Sequence, residues 1–338
     1  MERKLRRLFS RAYEDIEINI PRVEQREFGI GNLEKKIYKR HLAFLSLEEL
    51  KAFLIREAPF YISYSAAYYQ NPSAPMEKKG FLGADLVFDI DVSLEELEKA
   101  KEDVLYLYDV LKQDFGFKDI VINYSGNRGF HIHVRDPEAL GIGKEGREAL
   151  VEYFNLQKFD YKELLKHYTA YRGKKDAEIL ATGGILGPSP REHKAGFLGK
   201  FLTNLYGVLD EKGRKFLLKG DWRYVKSSHV KKALEKTRLR LDVDNQVTSD
   251  LSKLIRMENS IHGSTGLQAK VLSLEKLEGF DPWEEAVVFS KEKKVLVQMK
   301  ESFRIPRKNI SLQEGKLYRM PEYLALFVVL QKKAILKD

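Results

Sequence analysis

Asp85-Leu86-Val87-Phe88-Asp89-Ile90-Asp91 is the stretch whose reading decides the fold. Apolar and polar residues alternate with period two, the pattern of a β-strand with one face on a core. Leu86, Phe88 and Ile90 would face that core, and Asp85, Val87, Asp89 and Asp91 the other way. Asp89 and Asp91 would then share a face, about 7 Å apart along the strand. Two carboxylates so placed repel unless a cation lies between them. Magnesium or manganese, held by oxygen ligands, is the usual solution. Taken alone, the pair is equally compatible with a strand end whose acids are solvated, so the rest of the chain has to decide.

The chain has 338 residues, enough for one large domain or two ordinary ones, and its 43% hydrophobic content supports a core. No apolar run is long enough for a transmembrane helix, and no signal-peptide stretch follows the basic start Met1-Glu2-Arg3-Lys4-Leu5-Arg6-Arg7, so a cytoplasmic protein with no membrane partner is expected. With no cysteine, disulfides, thiolate zinc sites, iron–sulfur clusters and cysteine nucleophiles are excluded. The formal charge of +9 suits a polyanionic partner such as nucleic acid, although charge alone is weak evidence.

In chain order, residues 2–17 have the spacing of an amphipathic helix. Extended segments are expected around Phe28 and from Ile37 to Leu42. Ser46-Leu47-Glu48-Glu49 opens a helix to about Glu57, and Tyr61 to Tyr69 is β-prone. Beyond the acidic strand, Ser93-Leu94-Glu95-Glu96 opens a long helix stopped by Gly116. Strands are expected at Ile120–Tyr124 and Phe130–Val134, around a polar turn. Strand signals fade over 141–235, which reads as a helical insertion with a Gly/Pro-rich loop from Thr182 to Pro190. A strand is then expected at Arg238–Asp244, a helix at Asp250–Met257, strands near Ala286–Phe289 and Lys294–Met299, and a last helix from Pro321 to Leu336.

Two further stretches carry chemistry. In Ser125-Gly126-Asn127-Arg128-Gly129-Phe130-His131, the glycines leave backbone amides open to an anion. Arg128 offers a forked cation to phosphate oxygens, Ser125 a hydroxyl, and His131 leads into the next strand. Alone, this is also an ordinary glycine-rich hairpin. Asp244 through Arg256, then Ser260-Ile261-His262-Gly263, adds a carboxylate, a cation and a histidine turn, with Asp242 and Asp250 as competing carboxylates. Together the three stretches supply acids for metal and cations for a triphosphate, which is what two-metal nucleotidyl transfer needs.

With these stretches in order, the sequence resembles the small catalytic subunit of the archaeal and eukaryotic DNA primases. The matching words are Leu86 to Asp91, Ser125 to His131, and Asp244 with Leu254-Ile255-Arg256 and Ser260-Ile261-His262-Gly263. Likeness extends to Arg26-Glu27-Phe28, Tyr38-Lys39-Arg40-His41 and Pro321-Glu322-Tyr323-Leu324-Ala325, so it covers nearly the whole chain. The resemblance implies an α/β fold: a mixed-sheet primase catalytic core at 1–140 and 236–338, with a mainly helical subdomain inserted at 141–235. It implies that Asp89, Asp91 and Asp244 hold magnesium, manganese or zinc. It implies that Ser125, Arg128, His131, Arg256 and His262 contact the incoming nucleoside triphosphate, and that Glu27, Tyr38 and Arg40 support the same cleft. The implied activity is template-dependent synthesis of short RNA or DNA primers. The implied partners are a large primase subunit, in a heterodimer, and a single-stranded DNA template.

The chain departs from the family pattern in three places. No structural zinc site is expected, because the zinc knob of most relatives is replaced by the helix from Ser93 to Phe115. Ser264 stands where relatives often have Lys, and Ala67 where they often have Arg; Lys78, Lys79 and Lys253 are the nearby candidates to replace a lost contact. Two other readings stand beside the first: a primase-polymerase of repair or plasmid type, and a catalytically silent nucleic-acid-binding subunit.

Overall fold

A computed structural model describes residues 1–155, 196–217, 221, 223–237, 241 and 243–337. The chain divides into two compact units. One comprises Met1–Lys101, Val121–Arg147 and Asp244–Asp338, the other Glu102–Ile120 and Glu148–Val243. The fold is a mixed α/β one with several largely antiparallel sheets. Among the described residues, no helix is long and apolar enough to cross a membrane.

The first unit is built on two four-stranded sheets. Strands β1 (Phe28–Gly31), β2 (Lys39–Leu42), β3 (Tyr61–Ser65) and β9 (Leu254–Arg256) lie in the order β2-β1-β3-β9. Strands β6 (Leu86–Asp91), β7 (Ile120–Tyr124), β8 (Gly129–Val134) and β10 (Val271–Leu272) lie in the order β10-β7-β8-β6. A ribbon of β4 (Ala67–Tyr69) and β5 (Phe81–Ala84) leads into β6. Near the C-terminus, β11 (Lys294–Met299) is flanked by β14 (Leu317–Pro321) and β15 (Ala334–Leu336), while β12 (Phe303–Ile305) and β13 (Ile310–Leu312) form a second ribbon.

Helices α1 (Glu2–Asp15) and α2 (Leu47–Glu57) pack together, and Phe9 of α1 meets Phe60 edge-on at 4.9 Å. The Ser46 hydroxyl accepts from the Glu49 amide, as the sequence leads one to expect. At Ser93 the capping box forms, but its first turn, Leu94–Glu96, is 3₁₀ before α3 (Leu97–Gln113) begins. Gly116, at φ +74°, follows the end of that helix.

Four sequence expectations are corrected. The helix expected at Asp250–Met257 is a turn followed by β9, which pairs with Ser63–Ser65 of β3. The helix lies earlier, at Asn245–Ser249, because Asp244 caps it, and the Asp250 side chain then binds Ser252 and turns the chain. The last helix stops at Leu330; Lys332 takes a left-handed conformation and the chain returns as β15 along β11. Near Ala286–Phe289 there is only an isolated bridge, between Val287 and Leu267. Asp85, expected on the polar face, is fully buried, and so is Val87. Of the strand expected at Arg238–Asp244, residues 238–240 and 242 lie outside the described residues, as does the loop from Thr182 to Pro190.

Asp85 is buried because it is paired. The Arg26 guanidinium donates to it at 2.7 Å and the Tyr68 hydroxyl at 2.6 Å, while Arg135 binds Glu258 close by. Arg26 precedes β1, Asp85 precedes β6, Arg135 follows β8 and Glu258 follows β9. This buried set of charges therefore ties the two four-stranded sheets to each other.

The remaining helices of the first unit are α4 (Pro137–Leu140), the start of α5 (Lys144–Asn155), α9 (Asn245–Ser249), α10 (Leu274–Leu277), α11 (Pro282–Glu285) and the apolar α12 (Glu322–Leu330). The described part of the second unit is helical. Its α6 (Gly196–Val208), α7 (Glu211–Leu217) and α8 (Ser227–Lys236) enclose Phe201, Leu205, Leu209, Leu217, Val230 and Ala233.

Candidate active site

Strand β6 carries the first two acids. It pairs antiparallel with β8, which sets Asp89 opposite His131 and Asp91 opposite Gly129. The Asp89 side chain is 23% exposed and that of Asp91 47%. The third acid comes from far along the chain. Asp244 caps α9, its carboxylate accepting from the Gln246 amide at 2.8 Å. Its own N–H donates to the Asp89 carbonyl at 3.4 Å, and the Thr248 hydroxyl donates to the Val87 carbonyl at 2.8 Å. Helix α9 is thus laid along the acid strand, and Asp244 stands beside Asp89.

The electrostatics record this crowding. Burial first, then the charges of Asp91 and Asp244, push the Asp89 carboxyl up to about 7. Lys253 and Lys36 act in the opposite sense. The two exposed acids are turned toward cations: Asp91 accepts from Arg128, and Asp244 lies 3.9 Å from the Lys253 ammonium. Among the described residues, no three His, Asp or Glu side chains are closed into a cage that could hold a metal ion.

The turn expected to bind an anion lies next to the acids. In the turn between β7 and β8, the Ser125 amide donates to the Gly129 carbonyl at 2.9 Å, and the Ser125 hydroxyl accepts from the Gly129 amide at 3.3 Å. Gly126 has φ +79°, and a Cβ there would stand 2.9 Å from that of His262. The Thr265 hydroxyl donates to the Gly126 carbonyl at 2.5 Å, which fixes the turn against the His262 loop. Arg256, at the end of β9, lies over the Tyr61 ring at 5.0 Å, with the His262 ring edge-on to the same tyrosine.

Burial, then the Arg256 charge, holds His131 down at about 3 and His262 well below its usual value, so both imidazoles are neutral. His131 Nε2 lies 3.6 Å from Asp89, which joins the two halves of the site. Arg256 Nη1 and His131 Nδ1 are buried without a hydrogen-bond partner among the described residues.

Residues 88–274 match the family model described as DNA primase small subunit. The DNA primase small subunit PriS of Pyrobaculum islandicum is 34% identical over 96% of this chain and 96% of its own length. Those of Archaeoglobus fulgidus and Methanococcoides burtonii are 32% and 31% identical, each with the same coverage of both chains. The chain belongs to the DNA primase small-subunit family. Among solved structures, the polymerase domain of Mycobacterium tuberculosis ligase D, in complex with DNA, aligns over 85% of each chain at 12% identity and a TM-score of 0.41, a remote likeness.

The family match begins at Phe88 and so takes in Asp89, Asp91 and both later stretches, which lie at one corner of the first unit. Glu27 and Arg40 stand behind it. Arg40 donates to Glu27 at 2.8 and 3.1 Å and to the Ser252 carbonyl at 3.2 Å, so it braces the loop that carries Lys253. Burial raises the Glu27 carboxyl, but Arg40 and Lys79 outweigh it and hold the group below the usual carboxylate range. Lys79 is itself buried at 3.3 Å from Glu27, so of the lysines weighed as replacements it is Lys253 that stands at the acids. Tyr38 is 52% exposed and is not drawn into these contacts.

Sequence reading missed Lys36, whose charge acts on both Asp89 and His262, and Tyr61, which backs Arg256. A lysine in a basic loop carries no distinguishing spacing, and Tyr61 reads as one more aromatic in a β-prone run.

The chemistry of the donors suits a divalent cation, although among the described residues the three acids are not gathered into a metal site. Three carboxylates supply hard oxygens, and a buried acid raised by two like-charged neighbours is stabilised by any cation that enters between them. Histidine and cysteine are not needed for such a site.

Proposed function

We propose that this chain is the catalytic subunit of a DNA primase. It joins nucleoside triphosphates on a single-stranded DNA template into short RNA or DNA primers, and its partner is a large primase subunit. The observation that carries the reading is geometric: Asp244 donates its amide to the Asp89 carbonyl, Asp89 lies 3.6 Å from His131, and Asp91 pairs with Arg128.

In this reading Asp89, Asp91 and Asp244 hold magnesium or manganese, with zinc a chemically admissible third. A divalent ion held there would lower the pKa of the attacking hydroxyl and stabilise charge on the transferred phosphoryl group. Arg256 and Arg128 hold the β- and γ-phosphates. The neutral His131 and His262 donate hydrogen bonds without adding charge, and Ser125 adds a hydroxyl. These contacts orient the α-phosphorus for in-line attack by the 3′-hydroxyl oxygen. The 3′-hydroxyl gives up its proton to solvent, a bond forms between that oxygen and the α-phosphorus, and pyrophosphate leaves with the electron pair of the bond that breaks.

A primer-free assay on single-stranded template tests the assignment. Asp89→Ala and Asp91→Ala are each expected to lower synthesis by about a thousandfold or more, with template binding nearly unchanged. Near-wild-type synthesis by either variant refutes it. Co-purification with a large subunit tests the partner.

A further inference from the structure

Arg147 is a buried arginine that the site described above does not use; it is 2% exposed. Burial lowers its pKa to about 10, and Asp85, the acid acting on it, already binds Arg26 and Tyr68. Among the described residues the guanidinium donates to backbone carbonyls alone. Nε reaches Ile142 at 2.8 Å, Nη2 reaches Ala84 at 2.8 Å, and Nη1 reaches Asp85 at 2.9 Å and Thr248 at 3.5 Å. Ala84 and Asp85 lead directly into the acid strand β6, and Thr248 lies in α9, the helix that Asp244 caps.

Desolvating a permanent cation is costly, and here no ion pair among the described residues offsets the cost. What the arrangement accomplishes is geometric. A planar fork grips the entry to β6 at 2.8 and 2.9 Å and reaches the last turn of α9 at 3.5 Å, so that it bridges the two. Among the described residues, the Thr248 hydroxyl on Val87 and the Asp244 amide on Asp89 also tie these elements, and both belong to α9 and its cap. Arg147 is the tie supplied from outside.

The geometry points to Arg147 as a positioning residue: its guanidinium sets the register of α9 on β6 and so holds Asp244 beside Asp89 and Asp91 for a shared divalent cation. The inference rests on the metal-holding reading of the three acids. Arg147 touches neither metal nor substrate. Groups that orient metal ligands from behind are worth about 10- to 100-fold in metal affinity.

The test uses Mn²⁺ alone as the probe, followed by electron paramagnetic resonance on the full chain without nucleotide or template. Arg147→Met and Arg147→Lys are both expected to weaken Mn²⁺ binding at least about tenfold, because a lysine cannot span four carbonyls. Leu50→Ala, in a buried position on α2, controls for lost stability and should leave Mn²⁺ affinity within about twofold even at a comparable drop in Tm. Wild-type affinity in the Arg147 variants overturns the proposal. So does an equal loss in Leu50→Ala, or failure of both Arg147 variants to fold, since each makes Arg147 a general scaffold residue. If the wild-type chain itself does not bind Mn²⁺, it is the metal-holding reading that falls.

Discussion

Asp89 bears a cost in the folded state that the unfolded chain does not. Its pKa is about 7 when folded against an ordinary value near 3.8. Above pH 7 the group is charged in both states and the folded state carries the penalty; near pH 4 and below, that penalty is absent. Stability therefore rises as pH falls from about 7 toward 4, the reverse of the usual salt-bridged aspartate. In a chelating buffer, Asp89→Asn should stabilise the protein by something of order 2–4 kcal/mol at pH 8 and hardly at all at pH 4. Urea melts at the two values check this, and an equal gain at both would rule it out. Arg128 gives a second case, because it pairs with Asp91 and so competes with any cation arriving there. Arg128→Ala should bind bare Mn²⁺ more tightly than wild type yet bind nucleoside triphosphate more weakly, two opposite shifts that calorimetry would separate.

At the scale of elements, the turn after β7 has no spare room. Gly126→Ala must place a Cβ at φ +79° and 2.9 Å from that of His262. It should raise the KM for nucleoside triphosphate by about tenfold or more with a smaller change in kcat, as steady-state kinetics would show. The turn was legible in the sequence, because glycine-rich turns between alternating strands are local signals. So was the acid strand, from its period of two. What misled was Leu254-Ile255-Arg256, a short apolar run whose helix and strand readings are separated only by a partner, here Ser63–Ser65, almost two hundred residues away. Burial of Asp85 was hidden for the same reason, since Arg26 lies 59 positions from it. Arg147 is harder still: an arginine in a helical segment reads as solvated unless the carbonyls it binds are known.

At the scale of the molecule, the first unit depends on charges buried between its sheets. Arg26 and Asp85 are both 0% exposed. Arg26→Met should cost about 3–5 kcal/mol, because it leaves Asp85 buried and short of a partner; a chemical melt with less than about 1 kcal/mol of loss would show that the pair is dispensable. The convergence of the acids was foreshadowed by the order of the three stretches, but only long-range pairing through β9 and α9 brings Asp244 to Asp89. Arg147 is the final residue of the first unit before the longer excursion into the second, and Asp244 is the first residue on return. Both ends of that excursion are anchored by hydrogen bonds made inside the first unit, at Thr248 and at Asp89. The position of Asp244 is thus set by bonds made within the first unit rather than by the residues numbered 148–243 that precede it.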